Sequence, residues 1–249
     1  MARKPPPIEA FLNNMADAHH LVAMAEALTN HRHRRLRQEL REKLGAALRV
    51  RVTDRDQLDA AGSPDVFVVL LPNSRLTREH FADQRPLLRQ ALVAGCAATE
   101  TYLADKVMTR VSSAMPNIKM LPNRLGKLPL TVADWLSIEE DYQLRKRGLR
   151  ERVIEPYVRQ NASTAPSKMG EALSLIGIES WSKKVDSHRG VRPGSTVQLL
   201  ERVTLRRNKI AHTGDRQGYG RAKLTAQEVK EDLAGLESIV EALEAILSR

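Results

Sequence analysis

The sequence predicts an all-α protein, a helical bundle preceded by a less regular N-terminal part. Three observations carry that expectation. Apolar residues recur at three- and four-residue steps over long stretches, most clearly at Val229, Leu233, Leu236, Val240, Leu243 and Leu247, the seam spacing of a packed bundle helix. Start and stop signals bracket those stretches: Ser195-x-x-Gln198 and Thr225-x-x-Glu228 have capping-box spacing, and Gly214 is a stop. Strand-like patterning is confined to residues 49–71.

In chain order, a Pro-rich start leads into helices over 8–29 and 33–48, separated by the basic, solvated cluster "HRHRRLR". Alternation in "RVRVT" and the run "VFVVLL" suggest two short strands, with a buried helical turn as the alternative for the second. A long helix follows from Asp83 to Ser112. Pro86 sits in its first turn, where a missing N–H does no harm, and Leu88, Leu92, Cys96, Leu103 and Val107 form its apolar stripe. The connector "MPNIKMLPNRLGKLPLT" carries three prolines and reads as irregular. Ser137-x-x-Glu140 starts a charged helix through "EEDYQLRKRGLRERVIE", and 167–187 reads as one or two short helices broken near Gly177. Residues 1–76 are therefore expected to be a helical elaboration, with short strands within 49–71, packed on a helical core of 77–249.

Hydrophobic residues make up 42% of the chain, enough to bury a substantial core, and 40 Lys and Arg against 30 Asp and Glu leave a net charge of +10. That balance favours polyanions, nucleic acid first and an anionic membrane surface second. The longest apolar run, "VFVVLL", is closed by Pro72 and is far too short to span a membrane. The start "MARKPPPIEAF" has no secretory apolar stretch. The single cysteine, Cys96, excludes a disulfide framework and a thiolate zinc site, so the expected compartment is the cytoplasm. Aromatics are only 4% of residues, which disfavours a row of base-stacking platforms and leaves charge to do most of the holding.

The stretch "RRNKIAHTGD" (206–215) concentrates the chemistry. At about 100° per residue, Val197, Leu200, Thr204, Arg207 and Ala211 share one stripe, with Val203 and Ile210 beside it. Arg207 thus points with the core residues, where a guanidinium that cannot shed its charge needs a carboxylate. Glu100 borders the stripe of the long helix and is the expected partner. Arg206 and Lys209 lie off the stripe and read as solvent-facing. His212 projects about 140° from Arg207 and sits one turn beyond Asn208, so the three border a groove at the helix end. An Arg–Glu pair between helices is, taken alone, more often structural than catalytic.

"LRRNKIAHTGD" resembles the signature of the HEPN superfamily of ribonuclease domains, an arginine followed four to six residues later by histidine, with a polar residue after the arginine. It ends the penultimate helix, ahead of a short loop and a final amphipathic helix. "ALSLIGIESWSKKVDSHRG" (172–190) is similar to the segment before the motif in the RiboL-PSP-HEPN subgroup. "LLRQALVAGCAATETYLADKV" is similar to that subgroup's earlier helix, with Glu100 at the acidic position. The resemblance covers roughly 77–249 and is less clear over 1–76.

It implies a HEPN-like helical bundle that cleaves RNA without metal or cofactor, in a homodimer whose two motifs form a composite site across a cleft. The implied catalytic set is Arg207, His212, Asn208 and Glu100. His212 would take the 2′-hydroxyl proton or protonate the departing 5′-oxygen, and Arg207 would stabilise charge on the phosphorane. Asn208 would position substrate or His212, and Glu100 would orient Arg207. Arg206, Lys209 and Arg216 would contact RNA. The products would carry 2′,3′-cyclic phosphate and 5′-hydroxyl ends. The implied role is a toxin or anti-phage defence effector, a setting in which an antitoxin or regulatory partner is expected. The alternative is a non-catalytic HEPN module that dimerises and docks RNA or a partner protein. A DNA-binding regulator ranks last, because no helix-turn-helix stands out.

Other candidates have plainer readings. His19-His20 diverge on a helix and His31-x-His33 lacks acidic company, so both pairs read as surface residues. "GDRQGYGR" lacks the Lys-Ser/Thr ending of a phosphate loop and reads as a mobile connector, with Arg216 and Arg221 available to RNA. Cys96 reads as packing. The run "LRKRGLRER" reads as a solvated helix face that could extend an RNA-binding surface.

Overall fold

The structure is a computed structural model that describes residues 5–29, 32–33, 36–62, 66–75, 81, 83–115, 121–139 and 145–248. Over these residues the fold is mostly all-α. The chain divides into two compact units, one of Met1–Ala18, Leu92–Ala222 and Glu231–Arg249, the other of His19–Ala91 and Lys223–Lys230. This division does not follow a cut at residue 76.

In the larger unit, the core is supplied by the parts of three long helices that belong to it, from α1 (Pro7–Leu28), α3 (Arg85–Ala114) and α10 (Ala226–Leu247). Phe11, Met15, Leu92, Cys96, Leu103, Val107, Leu233, Leu236, Val240, Leu243 and Leu247 are all buried. Each large apolar side chain so covered contributes about 1.5–3 kcal/mol. Gly95 lets α3 approach α10 closely, since a Cβ there would run into Leu233 Cδ2. Phe11 meets Tyr102 edge-on, with ring centroids 5.8 Å apart. The Tyr102 hydroxyl and the Lys106 ammonium both donate to Glu244, at 2.7 and 2.6 Å, which satisfies the polar ends of this contact.

Shorter helices complete the unit: α4 (Val132–Glu139), α5 (Arg145–Leu149), a five-residue π turn (Arg150–Ile154), α6 (Glu155–Asn161), α7 (Pro166–Ser174), α8 (Trp181–Arg189) and α9 (Ser195–Thr213). The break expected near Gly177 is present. Gly177 has φ 77°, and the Ile178 N–H returns to the Leu173 carbonyl to close α7. Helix α4 starts earlier than the Ser137 signal suggests. Thr131 and Asp134 form a reciprocal cap there, with Thr131 N–H to Asp134 at 3.2 Å and Asp134 N–H to Thr131 Oγ1 at 3.1 Å. Ser137 lies inside the helix, and Glu140 falls outside the described residues, as do 116–120 of the connector. Residues 121–131 are irregular apart from a 3-10 turn at Leu125–Lys127.

In the smaller unit, β1 (Arg32–His33), β2 (Asp59–Gly62) and β3 (Phe67–Leu70) form an antiparallel sheet in the order β1-β2-β3, with Ala60 opposite Val69. Helix α2 covers Gln38–Ala47, later than the expected start at 33, and His33 lies in β1. His31, Arg34 and Arg35 of the basic cluster lie outside the described residues. Of the two segments patterned like strands, "VFVVLL" supplies β3. "RVRVT" does not: Arg49 turns left-handed at φ 54°, and the Val50 N–H returns to the Gly45 carbonyl at 2.8 Å. That turn closes α2 and sends the chain into a 3-10 turn at Val52–Gln57. Leu36, Leu58 and Ala60 form a small core here, with Leu44, Val50 and Val69 against it.

Candidate functional site

Helix α9 is fixed at both ends by carboxylates the helix itself does not carry. At its start the expected Ser195 capping box does not form. Gly194 occupies the N-cap at φ 88°, a left-handed conformation suited to glycine, and makes no side-chain cap. Asp186 of α8 does the capping instead, accepting from the Gly194 N–H at 2.7 Å and the Thr196 N–H at 2.9 Å. Burial pushes the Asp186 carboxyl up, but the hydrogen bonds from Thr196 and Gly194 and the Arg189 charge outweigh it and hold it below the usual range. Arg189 also donates to Thr196 Oγ1 at 2.8 Å and to Ser238 Oγ at 3.0 Å, tying α8 to α9 and α10.

At the other end Gly214 stops the helix at φ 60°. Its N–H reaches the Ile210 carbonyl at 3.1 Å, and the Asp215 N–H reaches the Lys209 carbonyl at 3.0 Å. The Asp215 side chain is buried and accepts from Arg206 at 2.8 Å. Arg206 is therefore not the freely solvated cation that its helical projection suggests; most of its surface is covered.

Between these ends, Arg207 projects to the side and donates to Glu100 Oε1 of α3. Its other terminal nitrogen donates to Asn208 Oδ1 at 3.1 Å. The two charged side chains are 24% and 23% exposed, so the pair lies at the edge of the core and faces solvent on one side. The same Glu100 oxygen accepts the Thr164 N–H at 3.2 Å and the Ser163 hydroxyl at 3.4 Å. Thr204, one turn before Arg207 on α9, donates from Oγ1 to Thr164 Oγ1 at 2.9 Å.

Sequence patterning does not single out Ser163 and Thr164. They lie in the short α6–α7 loop "ASTA", just before Pro166 opens α7, and only the serine–threonine pair ahead of a helix start hints at a role in holding backbone or carboxylate groups. Cys96, one turn before Glu100, is buried beside this cluster, and burial pushes its thiol up to about 12. A thiol so placed is packing material and not a nucleophile at neutral pH.

The structure thus brings Glu100, Arg207 and Asn208 together. His212 is on the same helix, but its side chain is exposed, and no hydrogen bond among the described residues joins it to Arg207 or Glu100. Lys209 and Arg216 are exposed as well. The connector between α9 and α10 contains a short hairpin, β4 (Arg216–Gln217) paired with β5 (Gly220–Arg221). Among the described residues, no group of three or more His, Cys, Asp or Glu side chains could hold a metal ion, and no helix is long and apolar enough to cross a membrane.

Chemically, the arrangement offers an arginine whose orientation is set from two sides, with a solvent-exposed histidine further along the same helix. A guanidinium has about five N–H donors, so Glu100 and Asn208 leave others for an anion. No protein-family model matches the chain, no curated protein matches it in sequence, and no solved structure matches its fold.

Proposed function

We propose that the chain is a HEPN-type endoribonuclease, cutting RNA by attack of a 2′-hydroxyl on the adjacent phosphate. The observation that supports this reading best is the held guanidinium: Arg207 lies between Glu100 and Asn208, at the edge of the core, on the helix that ends with the exposed His212. In this reading Arg207 directs a free N–H to a phosphate oxygen, where charge grows in the transition state. His212 transfers the proton, and a homodimer supplies a second His212, so that one acts as base and the other as acid. Asn208 keeps Arg207 in plane, and Glu100 acts on Arg207 from behind as a positioning residue. Exposed Lys209 and Arg216 hold RNA phosphates, while Arg206 serves mainly Asp215. No metal or cofactor takes part. The biological role in this proposal is that of a cytoplasmic toxin or anti-phage effector, with an antitoxin or regulatory partner.

A second reading, a non-catalytic module that dimerises and docks RNA or a protein, draws on the same cluster. Glu100 also satisfies Ser163 and Thr164, which is reason enough for a structural acid. Incubating purified protein with RNA in EDTA separates the two. The nuclease reading expects cleavage that leaves 2′,3′-cyclic phosphate and 5′-hydroxyl ends, lost in Arg207→Ala and His212→Ala. Undiminished cleavage by either variant removes the assigned site, and no cleavage by the unaltered protein favours the docking module.

A further inference from the structure

We infer that the β4–β5 hairpin is a binding site for one unpaired RNA base, stacked on the ring of Tyr219, with flanking phosphates held by Arg216 and Arg221. The identity of the ligand rests on the ribonuclease reading; the site itself rests on the hairpin. Tyr219 is 114% exposed, as open as in a free peptide, while the next most exposed large apolar side chain among the described residues, Val132, is 76% exposed.

Turn chemistry does not account for it. Gln217 pairs with Gly220, which leaves Gly218 and Tyr219 as a two-residue loop, and Gly218 takes φ 59°. Glycine at the first loop position meets the need of a II′ turn. The second position suits small polar residues, and nothing in the turn requires an aromatic ring. A ring held wholly in water, at the tip of a ribbon, is placed for contact with something outside the chain.

Charge says what that is. Arg216 and Arg221 stand directly opposite each other across the ribbon, and both are exposed. Like charges in that position destabilise a pair, and a two-stranded ribbon this short is marginal on its own. Phosphates lying along the ribbon would relieve the repulsion. An aromatic face flanked by cations is the combination that takes single-stranded nucleic acid, since every base has a face to stack while the backbone needs positive charge. One such aromatic does not need the high aromatic content that a row of platforms demands.

The hairpin is also tethered close to the candidate site. The Ala222 N–H donates to the Asp215 carbonyl at 2.9 Å, closing the hairpin's base on the residue that Arg206 holds. From His212 to Arg216 the chain can span no more than about 14 Å.

The test uses the full chain and a short fluorescent RNA with 2′-O-methyl sugars, which 2′-hydroxyl attack cannot cut. Its affinity is measured by anisotropy over a range of salt, single-stranded and annealed to its complement. Tyr219→Ala is expected to weaken single-strand binding about tenfold, Tyr219→Phe to stay within about twofold of the unaltered protein, and duplex binding to be unchanged. The salt dependence should keep its slope in Tyr219→Ala and become shallower in the Arg216→Ala/Arg221→Ala double variant. Unaltered affinity in Tyr219→Ala overturns the inference. Equal weakening on duplex, or no RNA binding at all, overturns it too. A parallel cleavage assay on ordinary RNA keeps the two proposals apart. Cleavage with no dependence of binding on Tyr219 removes the stacking site alone; Tyr219-dependent binding without cleavage keeps the site and removes the nuclease.

Discussion

Replacing Glu100 tests whether one carboxylate organises the cluster. Its Oε1 accepts from Arg207, the Thr164 N–H and Ser163, contacts that join α3, α9 and the α6–α7 loop. Glu100→Ala leaves the Arg207 charge without its partner and strands those donors. Removing one member of a fully buried pair costs about 3–5 kcal/mol, whereas exposed pairs are worth about 0–1 kcal/mol. With the side chains 24% and 23% exposed, the expected loss lies between, at about 2–3 kcal/mol. Glu100→Gln keeps an acceptor but loses the charge, and should cost about 1 kcal/mol. For a chain of this size each kcal/mol lowers Tm by about 2–4 °C. Urea melts of Glu100→Ala, Arg207→Ala and the double variant read the coupling directly. A coupling of about 1 kcal/mol or more is expected; additivity within about 0.5 kcal/mol would show that the two side chains do not depend on each other and refute the reasoning. If the nuclease proposal holds, Glu100→Gln should lower kcat with little change in KM, as for a residue that acts through Arg207.

Two further outcomes follow from buried groups. Asp186 has its pKa depressed in the folded chain, so the stability it supplies is present above the unfolded value of about 3.9 and is lost as pH falls through the folded value. Asp186→Asn, whose amide cannot accept on both atoms from Gly194 and Thr196, should cost about 1–2 kcal/mol at neutral pH and flatten the acid limb of a stability–pH profile; an unchanged limb in urea melts would mean that Asp186 does not cap α9. Cys96 is buried, with its thiol pushed up to about 12. It should resist a thiol reagent at pH near 8 in the native chain and react on unfolding, and modification at the rate of a free thiol would contradict that placement.

Much of the architecture is readable from apolar periodicity, because burial selects one face of a helix irrespective of what covers it. The stripes of α3 and α10 are buried residue by residue. The Arg207–Glu100 contact is legible for a related reason: a guanidinium on an apolar stripe demands an acid, and Glu100 borders another stripe. What escapes the pattern depends on partners distant in the chain or on a local turn. Strand β2, "DAAG", has little strand character of its own and is paired by the Val-rich β3. "RVRVT" has the alternation but loses it to the left-handed Arg49.

The ends of α9 sharpen that distinction. Ser195 and Gln198 have the spacing of a reciprocal cap, yet Asp186 reaches the same helix end first, with two oxygens for two N–H groups. Arg206 has the projection of a solvated cation, yet the turn at Gly214 brings the buried Asp215 back beneath it. Glu100 then sets the side of the helix that Arg207 faces. Three acids, from α8, from α3 and from the turn after the helix, thus fix a segment whose C-terminal half, from Arg206 to His212, carries cations and no acid of its own. His212 has no such acid among the described residues and stays exposed, as a group must if it is to meet a substrate or a second copy of the chain.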